Sequence, residues 1–274
     1  MKPSMELPLV LFTILSQTAI GLTLLSGLRR WRLADLPGQG AGVQMARDEA
    51  DRRQWLAAAG LLGVGLLLSL AHLGHPLEAF MALKHLSTSW LSREALAFAA
   101  LTGLMAFTAY KGLPSLLVRG TAALGLLALF IQGMTYSPPS FPAVDNGLPF
   151  ALFLISAVIL GAGAASLFVE SEDSPGLRGV LVAALAVGLA VHLVLPVAWL
   201  SGGTVTHMTA VAYLRSPLYW AHILVGLAGP LLVVALTRRI PRWLPYALLA
   251  GALCGRIVFY LETVHTAANI GALY

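Results

Sequence analysis

The chain has 274 residues, of which 58% are hydrophobic and 11% charged, with seventeen Lys and Arg against twelve Asp and Glu. Its mean hydropathy is +0.82, whereas soluble globular domains are close to half apolar and a quarter charged, so a water-soluble enzyme is excluded. Cys254 is the only cysteine, which excludes an internal disulfide, a self-contained iron–sulfur cluster and covalently attached c-type haem.

Apolar runs long enough to cross about 30 Å of hydrocarbon as helices recur along the whole length. Such runs are too long for barrel strands, and only helices or closed barrels satisfy their backbone in lipid. The pattern predicts an all-α integral membrane protein, a single domain over residues 1–274, built as a bundle of eight transmembrane helices. The spans are about 7–28, 56–74, 94–110, 115–136, 148–169, 179–200, 217–237 and 244–267. Arg29, Arg30 and Arg32 follow the first run, which reads as an uncleaved first helix. The loop from Arg29 to Trp55 is the longest polar stretch, and no internal repeat stands out.

Basic residues sort by loop. Arg29, Arg30, Arg32, Arg47, Arg52, Arg53, Lys111, Arg119, Arg178, Arg238, Arg239 and Arg242 fall on one side, and Lys2, Lys84, Arg93 and Arg215 on the other. The positive-inside rule then places both termini on the outer, periplasmic side. The net charge of +5 is a topology signal and gives no reason to invoke nucleic acid.

Ionisable groups within membrane spans are costly and mark functional positions by default. His72 closes the second run and Glu94 opens the third, so the connecting hairpin brings two proton-exchanging groups to the outer surface. Gln17 lies mid-span in the first run, and His192 and His222 lie in the outer halves of the sixth and seventh. Arg256 is just past the middle of the last span, with Tyr260 one turn on and Glu262 and His265 nearer the outer end. Simpler structural roles exist for most of them. Glu94 could be a first-turn acid behind a Ser92 cap, and the two histidines and Gln17 could be hydrogen bonds between helices. Arg256 is harder to dismiss, since a guanidinium keeps its proton. His75 and His85 read as solvent-facing loop residues. No metal-ligand cluster is evident.

The opening PLVLFTILSQTAIG, the block HLGHPLEAFMALKHLSTSWLSREALA and the closing GRIVFYLETVHTAANIG carry a family pattern. On them the chain resembles the membrane anchor subunits of dimethyl sulfoxide reductase, within the wider polysulfide-reductase/nitrite-reductase-D type of haem-free, quinol-reactive anchors. The resemblance spans essentially the whole chain, and its second block is the most specific. It implies an anchor in the bacterial inner membrane that oxidises menaquinol in anaerobic respiration. The partners implied are a four-cluster iron–sulfur subunit and a molybdopterin catalytic subunit. It further implies that the histidine of the H-L-G-x-P turn, His72, and the glutamate of the S-x-E segment, Glu94, belong to the quinol site. Gln17, Arg256, Tyr260, Glu262 and His265 would bind the ring or organise the site, with Arg256 holding either the Glu94 carboxylate or a quinone oxygen. His75 and Glu78 stay unassigned. Menaquinol would be bound as substrate, with no covalent cofactor and no haem on this chain.

Competing readings are a b-type cytochrome anchor using His192 and His222 as axial ligands, a purely structural anchor, and a secondary transporter. The last class shows internal repeats and midplane binding groups, which this sequence does not.

Overall fold

Gly21 and Gly161 explain how the centre of the molecule closes. A Cβ on Gly21 would lie 1.8 Å from the Ala157 carbonyl oxygen, and one on Gly161 would lie 2.3 Å from the Gly21 carbonyl carbon. Two backbones can approach this closely only where small residues line both helices, the usual basis of packing in membranes, where hydrophobicity does not drive helices together. The row Ala157, Gly161, Ala165 supplies that surface on one side.

The computed structural model of the chain describes residues 3–34, 41–71, 84–169 and 175–269, and among them the regular structure is entirely helical. Helix α1 is Pro3–Ala34, α2 Ala41–Ala71, α3 Trp90–Tyr110, α4 Ser115–Thr135 and α5 Leu148–Ala165. Helix α6 is Pro175–Leu200 and α7 Thr204–Arg215. One continuous run, α8, covers Pro217–Thr237, and α9 is Leu244–Glu262. Helix α1 is the hub, packed against α2, α4, α5 and α9. Its apolar stretch is 78% buried, against 22% for α6, whose outward face is Leu- and Val-rich. Leucine at position 21 or 161 should therefore cost more than the roughly 1–3 kcal/mol typical of overpacking. A lowered Tm of the purified protein would show it, and an unchanged Tm would mean that this crossing is not tight.

Among the described residues, seven helices are long and apolar enough to cross a membrane, and α3 is not one of them. The reason is local: Arg93 and Glu94 occupy its second turn. The expected third span also starts earlier than residue 94, because Ser89 and not Ser92 is the N-cap, with Ser92 N–H donating to Ser89 Oγ at 3.3 Å. The expected polar loop 29–55 is largely helical as well. Arg30 pairs with Asp48 at 2.8 Å and Asp51 at 3.2 Å, and Arg29 pairs with Asp51. Gln54 Nε2 donates to Leu22 O at 2.7 Å and Trp55 Nε1 to Ser26 Oγ at 3.0 Å, so the end of α1 and the start of α2 zip together. Helix α7 was not expected. The fifth and last spans end at Ala165 and Glu262, before the positions 169 and 267 set by hydropathy.

Two prolines shape the second half. Pro230 has no N–H for the carbonyl four residues back and its ring would clash with it. The segment ahead of it, His222–Ala228, widens into a π-helix, with Gly229 N–H bonding Leu224 O. Such single-turn widenings often mark functional positions. Pro196 in α6 likewise cannot serve the His192 carbonyl, and the Tyr219 hydroxyl of α8 donates to that oxygen instead, at 2.6 Å. Tyr219→Phe should cost about 1–3 kcal/mol by orphaning the carbonyl. Pro196→Ala restores a backbone donor, so adding Tyr219→Phe to it should cost markedly less. Equal Tm losses in both backgrounds would reject this account.

Candidate functional site

The turn around Gly112 and Leu113, both at positive φ (75° and 60°), folds α3 and α4 into an antiparallel hairpin. Glu94 and Gln132 lie about equally far from that turn along the two arms. At 1.5 Å rise per residue they reach the same depth, and Gln132 Nε2 donates to Glu94 Oε1 at 3.2 Å. The same amide nitrogen lies 3.2 Å from Ser16 Oγ of α1. Gln132 Oε1 accepts from Gln17 Nε2 at 3.2 Å, and Gln17 Oε1 accepts from Arg256 Nη2 at 2.7 Å. A polar bridge therefore runs across the bundle, from α3 through α4 and α1 to α9.

Every link is buried. Gln17 and Gln132 are fully enclosed, Glu94 is 2% exposed and Arg256 7%. The guanidinium carbon of Arg256 sits 4.3 Å from the centre of the Phe153 ring and 5.8 Å from that of Phe259, held by cation–π contacts. Tyr260 shares its face of α9 one turn on and meets Tyr136 edge to face at 5.6 Å. Buried polar atoms are almost always paired, yet Glu94 Oε2, Arg256 Nε and Tyr260 Oη have no hydrogen-bond partner. The bridge thus has a free carboxylate oxygen at one end and a free guanidinium N–H at the other.

Four of the expected site residues, Gln17, Glu94, Arg256 and Tyr260, converge here. Arg256 does not hold the Glu94 carboxylate directly, because both glutamines stand between them. Among the described residues the acids that form ion pairs do so with Arg29, Arg30 and Arg53. Glu262 and His265 do not join the bridge. Helix α9 ends at Glu262, so the two are not helical neighbours. The His265 side chain is exposed, accepts from Ala267 N–H at 2.9 Å and packs on Phe141 at 5.0 Å. Glu94 is no first-turn acid either, since four helical residues precede it after the Ser89 cap. His72, with His75 and Glu78, lies outside the described residues. Gln132 was missed, although a lone amide in the run LLALFIQGM is the kind of signal that merits weighing.

On the far side of Arg256 lies a small cleft, partly open to the surroundings. Arg256, His192, His222, Trp199, Tyr213 and Tyr219 are among the residues that line it. The imidazoles of His192 and His222 meet edge to face with ring centres 4.6 Å apart. Each Nδ1 lies 2.8 Å from a backbone carbonyl, of Gly188 and Gly251 respectively. A carbonyl only accepts, so Nδ1 carries the proton in both rings. Axial ligation of one haem iron would need both rings to point their Nε2 atoms at each other across a macrocycle, and rings this close leave no room for one between them.

Helices α8 and α9 close on this cleft through glycines. A Cβ on Gly251 would sit 2.1 Å from Gly226 Cα, and one on Gly255 would sit 2.6 Å from His222 Nδ1.

Known proteins share this sequence pattern. The family model described as DMSO reductase anchor subunit (DmsC) matches residues 1–261. The anaerobic dimethyl sulfoxide reductase protein YnfH of Escherichia coli (strain K12) is 31% identical over 172 residues, covering 57% of this chain and 55% of that one. The C subunit of the anaerobic dimethyl sulfoxide reductase of Haemophilus influenzae is 29% identical over 164 residues, covering 57% and 56%. The aligned region thus spans a little over half the length of these curated relatives.

Proposed function

The chain belongs to the DMSO reductase anchor subunit family, and on that premise we propose that it is the quinol-oxidising membrane subunit of a molybdopterin oxidoreductase of the dimethyl sulfoxide reductase type. It is a multi-pass membrane protein, read here as residing in the bacterial inner membrane. In this reading α3 crosses as an eighth helix and both termini lie outside, which follows from the sorting of basic residues. Its partners are a four-cluster iron–sulfur subunit, which receives the electrons, and a molybdopterin catalytic subunit, which reduces the terminal acceptor.

The observation that carries the reading is Glu94: a carboxylate 2% exposed, one oxygen bonded to Gln132 and the other free. A menaquinol hydroxyl donated to Glu94 Oε2 gives that oxygen the partner it lacks. Oxidation of the ring to the quinone releases two electrons and two protons. The electrons leave to the iron–sulfur partner, while Glu94 accepts a proton and passes it toward the outer surface, the work of a general base within hydrogen-bond reach. Gln132, Gln17 and Arg256 hold the carboxylate in place. His72 follows the last residue of α2 in sequence, and in this reading it takes the second proton, from the other ring hydroxyl.

The test is turnover of a menaquinol analogue with dimethyl sulfoxide as acceptor, by the complex purified on this chain. Quinol-dependent reduction is the expected result. Its absence in a complex whose partners are bound and accept electrons from a dye would overturn the proposal.

A further inference from the structure

The geometry points to a second binding site, for the ring of a quinol-class lipid, in the cleft between α6, α7, α8 and α9, at the opposite end of the polar bridge from Glu94. Both imidazoles spend Nδ1–H on backbone carbonyls, so each neutral ring turns an Nε2 lone pair elsewhere. That of His222 is buried and has no hydrogen-bond partner. Arg256 lines the same cleft, and its Nε–H is equally buried and equally unpartnered. Two residues that line the cleft therefore carry an unused hydrogen-bond acceptor and an unused hydrogen-bond donor.

The walls restrict what can use them. Trp199, Tyr213, Tyr219 and Phe259 contribute aromatic surface. The Tyr213 hydroxyl is engaged with Thr263 Oγ1 at 3.2 Å and that of Tyr219 with His192 O, so both present ring surface more than polar tips. A flat ring stacks well against such walls. A small anion would suit Arg256 but would face imidazole lone pairs. A ring bearing a hydroxyl and a second oxygen satisfies both ends: the hydroxyl donates to His222 Nε2, and the other oxygen accepts from Arg256 Nε.

This site is separate from the chemistry assigned to Glu94, since Arg256 reaches that carboxylate only through Gln17 and Gln132. The test is photolabelling of the whole complex with an azido-naphthoquinone, followed by mapping of labelled peptides. Label is expected on α6, α8 and α9 peptides that line the cleft, and an excess of menaquinone-1 should compete it away. Two substitutions should lower that label about tenfold: Ala252→Phe, which fills the cleft, and His222→Asn, whose amide can still donate to Gly251 O but offers no Nε2. Glu94→Gln should leave it unchanged. Label confined to α3 and α4, or cleft label that menaquinone-1 does not displace, would overturn the site. Loss or retention of quinol turnover in Glu94→Gln reports on the other end of the bridge alone.

Discussion

Glu94→Gln is expected to lower quinol-driven turnover of the assembled complex by about 10²–10⁴-fold, the range over which positioned general acid–base groups act. The substitution is nearly isosteric, and a side-chain carbonyl at this position still accepts from Gln132 Nε2 as Glu94 Oε1 does at 3.2 Å. What disappears is the ability of the second oxygen to take a proton. Packing around a residue 2% exposed should survive, so partners should remain bound and the complex should elute as the parent does. Electrons supplied directly to the partners by a reduced viologen dye should still reduce the acceptor at the parental rate. Glu94→Asp makes a complementary case. It keeps the charge but shortens the side chain by one methylene, pulling the carboxylate away from Gln132, and should retain part of the activity. Full quinol turnover in Glu94→Gln would remove the proton-accepting role.

The helical, multi-pass architecture was legible because run length and composition are direct consequences of bilayer thickness and backbone satisfaction. Boundaries were less so. Hydropathy marks where a helix leaves the bilayer, while capping and ion pairing mark where it stops, which is why α1 and α2 extend through the Arg29–Asp51 contacts and α3 begins at the Ser89 cap. Helix α7 is short and mixed in polarity, so periodicity alone does not separate it from a loop. Depth of polar groups was readable, since rise per residue is fixed, and it identified Glu94, Gln17 and Arg256 as candidates. Rotation about each helix axis was not. Nothing in the order of residues told that Gln17 and Gln132 would interpose between Glu94 and Arg256. The 4.6 Å approach of His192 to His222 depends on the π-helical stretch and the glycine crossing of α8 and α9. Glu262 and His265 failed for a simpler reason: the i,i+3 relation holds only while the helix lasts.

Arg256→Met is expected to lower quinol turnover about tenfold or more while leaving Tm unchanged or raised. A buried charge can serve stability or function, and here the two come apart. Removing a charge from an apolar interior and filling its volume with a hydrophobic side chain is often neutral or stabilising, because the desolvation penalty goes with it. Arg256 is 7% exposed, it lies against Phe153 and Phe259, and its hydrogen bond goes to a neutral amide, so the penalty is poorly offset. The cost falls on Gln17, whose Oε1 loses its donor, and through Gln132 on the orientation of Glu94. Arg256 is thus a positioning residue for the carboxylate, and the loss should appear in kcat more than in KM. Arg256→Lys should not restore activity, because an ammonium lacks the planar fork that stacks between two rings while donating sideways. The decisive comparison is the double variant with Glu94→Gln. If Arg256 acts through Glu94, adding Arg256→Met to the variant already lacking the carboxylate should cost little further turnover, a non-additivity typical of residues in one network. Fully multiplicative losses would mean that the guanidinium acts on the substrate independently, and a collapse of Tm in Arg256→Met would mean that the bridge is chiefly structural.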